Sequence, residues 1–177
     1  MMNAFAAAAL AASFSAASAG AATVVQSVAD SIDLSRDERA AFTLFFDSGF
    51  DFQPFDASQG TLTRAIYDFD QVLETDNVTG NIEYTAGGIT LLNRRIEDSI
   101  SGGAIRIDLL NDFQFGPLFD VEDFTDGTFN VELKLTLDPF FPADGEERVF
   151  RMDTTERLIY EFDALVDEPV GVAPVPV

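Results

Sequence analysis

Three groups of carboxylates are the residues whose types and spacing could do chemistry in this chain. Asp47, Asp51 and Asp56 lie around one expected loop. Asp68, Asp70, Glu74 and Asp76 belong to and follow an expected strand, and Asp120, Glu122, Asp123 and Asp126 crowd a third segment. Calcium takes roughly six to eight oxygen ligands, which loops of secreted sandwiches can supply. The densest group, Asp120, Glu122, Asp123 and Asp126, is therefore the candidate calcium site. No segment satisfies the D-x-[DN]-x-[DN]-G-x5-E loop, and glycine-aspartate nonapeptide repeats are absent. With 31 Asp plus Glu in the chain such groups arise from composition alone, so solvated loop carboxylates are the preferred reading. Paired carboxylates at the correct separation also hydrolyse glycosides without histidine. The chain has no Trp on which to stack a sugar and is short for a substrate cleft, which places a small carboxylate-dependent hydrolase last.

The remaining inventory narrows the chemistry further. Without Cys there are no disulfides, thiolate metal sites or thiol nucleophiles, and without His the commonest general base and transition-metal ligand are missing. No catalytic or cofactor-binding residue is assigned, and the expected protein is not an enzyme. The formal charge is -21, from 10 Lys plus Arg against 31 Asp plus Glu, so phosphate backbones and anionic lipid surfaces would repel it. Nucleic acid is excluded as a partner on that ground. A surface polysaccharide or a protein remains open.

The elements that must position these groups read as short strands. Thr128 to Leu137 is the clearest, with Phe129, Val131, Leu133, Leu135 and Leu137 alternating against polar residues. Asn81 to Thr85 and Ile89 to Ile96 flank Gly87-Gly88 as a hairpin. Thr23 to Val28, Phe42 to Phe46, Thr61 to Asp70, Ala104 to Leu110, Glu147 to Met152 and Arg157 to Leu165 supply the others. On Thr61 to Asp70, strict alternation sets Thr63, Ala65, Tyr67 and Phe69 on one face and Leu62, Arg64, Ile66 and Asp68 on the other. Ser35 to Arg39 has capping-box spacing for a single helical turn. About eight to ten short strands at regular spacing predict an all-β antiparallel β-sandwich, jelly-roll-like, over residues 23–168. The 47% hydrophobic content, with 18 Phe, is ample for its core. Phe140-Phe141 is the exception, since it falls at an expected loop tip between two prolines.

Both ends differ from this domain. In residues 1–22 an apolar run, Ala4 to Ala12, is too short to span a bilayer and passes into small residues ending in A-x-A sites at Ala17-Ser18-Ala19 and Ala19-Gly20-Ala21. It reads as a signal peptide, with the mature chain starting near Gly20 to Thr23, although no Lys or Arg precedes the apolar run. Residues 169–177 form a Pro/Val-rich tail or truncated sorting-signal linker.

The loop Phe52-Gln53-Pro54-Phe55-Asp56-Ala57-Ser58-Gln59-Gly60-Thr61-Leu62-Thr63 resembles the phrase F-x-P-F-D-P-x-x-G-T-L-T of the choice-of-anchor families of bacterial exported β domains, with Ala57 in place of the proline. The tail, Ala173-Pro174-Val175-Pro176-Val177, resembles the start of a PEP-CTERM-type sorting signal, without its hydrophobic helix and basic cluster. The resemblance implies an all-β exported domain and brings no catalytic residues. The expected function is a non-catalytic exported cell-surface or extracellular-matrix protein of a bacterium, acting outside the cytoplasm. Membrane contact is expected only through a C-terminal anchor not present in this chain. A calcium- or carbohydrate-binding module is the alternative.

Overall fold

A computed structural model describes residues 11–16, 21–33, 44–76, 78–97, 100–111, 117–138 and 149–165. The expected turn at Ser35 to Arg39, the start of the Phe42 strand, the Phe140-Phe141 tip and the 169–177 tail lie outside them. The strands are β1 (Ala11–Ala16), β2 (Ala21–Asp33), β3 (Leu44–Phe52), β4 (Gly60–Asp76), β5 (Gly80–Ala86), β6 (Ile89–Ile96), β7 (Ile100–Asp108), β8 (Phe129–Leu137) and β9 (Val149–Ala164). A 3-10 turn at Ala57–Gln59 precedes β4, and one helical turn, α1 (Glu122–Thr125), precedes β8.

All pairings are antiparallel, in sheets ordered β1-β2-β9-β4-β7 and β3-β8-β5-β6. From β2 onward, successive strands pass from one sheet to the other except at the β5–β6 hairpin. With β1 set aside, two four-stranded sheets face each other in jelly-roll order. The expected all-β sandwich is the observed fold. On β8 every second residue from Phe129 to Leu137 is buried. The hairpin turn is made by Gly87 and Gly88 at φ 54° and 80°, a conformation that costs glycine little.

Alternation failed where the strands are irregular or longer than expected. The two expected strands Glu147 to Met152 and Arg157 to Leu165 join, over the described residues Val149–Ala164, in a single strand, β9, which pairs with both β2 and β4 over most of its length. Its polar middle, Asp153 to Glu156, falls between the two expected strands and is held as strand by neighbours on both sides. Ser101 to Gly103, ahead of the expected strand Ala104 to Leu110, belong to β7. On β4 a bulge at Thr63 puts two residues where β9 has one: Leu62 faces Phe162, and Arg64 faces Glu161. Leu62 therefore turns inward with Ala65, Tyr67 and Phe69, while Thr63 is exposed and donates its hydroxyl to the Glu161 carbonyl at 2.9 Å.

Phenylalanine fills much of the space between the sheets. Phe50, Phe52, Phe55, Phe69, Phe124, Phe129, Phe150 and Phe162 are all buried, in a chain without Trp or disulfides. Among the described residues no helix is long and apolar enough to cross a membrane.

Candidate functional site

The candidate calcium ligands surround α1. Phe124, fully buried, anchors this turn against Phe129, Phe119 and Tyr160 at ring-centroid distances of 4.8, 6.0 and 6.2 Å. The Phe124 carbonyl accepts the backbone N–H of Phe55 at 2.7 Å. With Phe124 inward, Glu122, Asp123 and Asp126 are exposed on the rim of a cleft of about 580 Å³, which Glu132 and Phe119 also line. Asp120 does not line this cleft; its backbone N–H donates to the Asp123 carboxylate at 2.8 Å. Among the described residues no three Asp or Glu side chains are grouped as a metal ion would need. What the arrangement offers is a negative rim beside a half-buried phenylalanine ring.

The other acidic groups are built into the surface of the sandwich. Asp51 accepts from the Asn130 amide at 2.9 Å, Asp68 pairs with Arg157 at 3.2 Å, and Glu74 pairs with Arg151 at 3.3 Å. Asp56 caps the 3-10 turn, accepting from the Ser58 N–H at 2.9 Å and its hydroxyl at 2.6 Å, which holds the carboxyl below its usual range.

Asp56 belongs to the loop that carries the family resemblance, and that loop is a latch. The Gln26 side chain, on β2, donates to the Gln53 carbonyl at 2.8 Å and accepts the Gln53 N–H at 2.7 Å. The Tyr160 hydroxyl donates to the same carbonyl at 3.0 Å. Pro54 keeps Gln53 extended and lets Phe55 drop onto Tyr160 and Phe162, at 5.6 and 4.9 Å. At Gly60 the backbone passes so close to β9 that a Cβ would stand 2.1 Å from the Asp163 carbonyl oxygen. A small apolar pocket of about 200 Å³ remains between the latch, Val24 and Tyr160.

The most perturbed chemistry lies between the sheets. Glu156 points inward from β9 at 0% exposure and accepts a 2.6 Å hydrogen bond from the Tyr67 hydroxyl. Burial, opposed by that hydrogen bond and reinforced by Asp30, raises its pKa from 4.5 to about 8. Gln71 and Thr154 beside it are also buried, and Gln71 donates to the Met152 sulfur at 2.8 Å. Glu156 Oε1, Gln71 Oε1 and the Tyr84 hydroxyl find no hydrogen-bond partner among the described residues. Burial also pushes the Tyr67 and Tyr84 hydroxyls well above the ordinary tyrosine value. Glu156 falls in the gap between the expected strands Glu147 to Met152 and Arg157 to Leu165, so neither strand's pattern includes it. Carried through, the alternation Phe150, Met152, Thr154, Glu156, Leu158, Tyr160 would have turned it inward.

No known family and no curated protein matches the chain. Among solved structures it is similar to chains in "Structure of infectious bursal disease virus Gx strain" (7% identity, TM-score 0.32) and "Structure of infectious bursal disease virus Gt strain" (9% identity, TM-score 0.28). It is covered over 82% and 90% of its own length and spans 38% of each viral chain. Likeness at this level says nothing of function.

Proposed function

We propose that this is an exported, non-catalytic domain that works at a bacterial cell surface or in an extracellular matrix. The observation that carries the reading is the use made of the loop Phe52 to Thr63. Its distinctive side chains are spent on closing the sandwich, with Gln53 clamped by Gln26 and Tyr160, Phe55 buried and Asp56 capping. A phrase of that kind marks a module by its build and not by a reaction. The described carboxyl with a raised pKa, Glu156, is enclosed and so is not placed to protonate a glycosidic oxygen. The leader, residues 1–22, supports export. The test is expression of the whole chain in a bacterial host, followed by fractionation and intact-mass measurement. A product outside the cytoplasm that starts between Gly20 and Thr23 is expected; a cytoplasmic chain retaining Met1 to Ala22 overturns the reading.

A second reading, a calcium- or carbohydrate-binding module, draws on the cleft beside α1 with Glu122, Asp123, Asp126 and Glu132 on its rim. Calorimetric titration with calcium, with the melting temperature followed in parallel, and glycan-array binding test it. No heat and no rise in melting temperature at saturating calcium, together with an empty array, remove it.

A further inference from the structure

β1 lies outside the jelly roll, and among the described residues it pairs with β2 alone, Ala11 to Ala16 against Ser27 to Ala22. The outer edge of β2 is thus able to take an extended strand along six consecutive residues. The strand it holds falls within the segment that export would remove, so this inference rests on the export reading. Once Met1 to Ala22 is cleaved near Gly20 to Thr23, the outward backbone N–H and C=O groups of Thr23 to Ser27 lose their partners.

Such edges are usually guarded by charge, proline or a bulge. β2 has none of these where β1 leaves it. From Ala21 to Ala29 it carries no charged residue and no proline, and its register with β9 runs without a shift. The other three sheet edges are charged: β7 carries Arg106 and Asp108, β3 carries Asp47 and Asp51, and β6 carries Arg94 and Arg95. In a chain of formal charge -21, two copies repel over most of their surface, and this edge is where they can meet without opposing like charges. Centred on Val25, an antiparallel pairing of two β2 strands opposes only uncharged side chains from Thr23 to Ser27, which the processed chain keeps, and leaves both inner faces on one side. It would set the half-buried outer side chain of Val25 against its counterpart, a favourable β-branched pair.

We infer that leader removal uncovers β2 as a self-association edge, through which two copies of the mature protein join their sheets in a two-fold dimer.

Sedimentation and hydrogen exchange test this on the processed protein and on the full chain retained in the cytoplasm. The processed protein should be a dimer with slowly exchanging amides in Thr23 to Ser27, and the full chain a monomer. Val25→Asp in the processed protein should give a monomer, while Val25→Thr should remain dimeric; Thr23→Asp serves where Val25→Asp does not fold. A monomeric processed protein, or a dimer indifferent to both Asp substitutions, overturns the inference. Should the chain stay in the cytoplasm and still begin at Met1, the export reading fails alone. Cutting the full chain at a protease site introduced at 17–20, and separating the leader peptide, then exposes the same edge for the same measurement.

Discussion

Glu156→Gln replaces the enclosed carboxyl by an amide of the same shape, and its consequence should depend on pH. In the unfolded chain Glu156 titrates near its ordinary 4.5, whereas burial places it at about 8 in the sandwich. Between those values the folded state keeps a proton that the unfolded state has released. The free energy of unfolding therefore falls as pH rises from about 4.5 to about 8 and levels off above, the direction opposite to that of a salt-bridged carboxylate. At roughly 1.4 kcal/mol per pH unit, the loss across that interval is about 5 kcal/mol. That is a large share of the ~5–15 kcal/mol by which a domain is stable. Urea unfolding followed by far-ultraviolet circular dichroism at constant ionic strength, from about pH 5 to about pH 9, measures it. Subtracting the Gln variant from the native protein removes the acids that titrate in both. The difference should widen steadily in favour of Gln and then flatten near pH 8. Tyr67→Phe removes the donor that favours the charged carboxylate, so the flattening should move to higher pH. A difference that stays constant with pH, or narrows as pH rises, would refute the assignment of Glu156 as a buried, protonated group.

Gly60→Ala drives a Cβ against the Asp163 carbonyl, and relieving that clash should cost about 1–3 kcal/mol, read as a lower urea midpoint. Gln26→Ala strands the Gln53 N–H inside the latch and should cost about 1–3 kcal/mol, with faster exchange of the Phe55 amide as the local signature. Asp56 titrates below its ordinary value in the folded protein, so its stabilising effect is present above about pH 4 and lost as pH falls through the folded value. Asp56→Ala should lower the melting temperature at neutral pH and leave it less sensitive to acid.

The sequence by itself determined the class of this protein and where its regular strands lie. A two-residue period needs only local information, because successive strand side chains point to opposite faces; hence β8, the Gly87-Gly88 hairpin and the inward phenylalanines were all legible. Tertiary structure decided everything that depends on a partner strand. Whether Asp153 to Glu156 is a turn or the middle of β9 is settled by β2 and β4 on either side, and with it the burial of Glu156. The Thr63 bulge is defined only against β9, so alternation alone assigned Leu62 to the wrong face. The acidic groups show the same limit: composition brought them together in sequence, but folding turned Asp120 into a backbone donor to Asp123 and sent Glu122, Asp123 and Asp126 to a cleft rim. Gln26 and Gln53, 27 residues apart, meet only because the fold brings the loop after β3 against β2 of the other sheet. Local pattern fixes which way a side chain points along a regular strand; which groups it meets is fixed by the register and order of strands brought from distant parts of the chain.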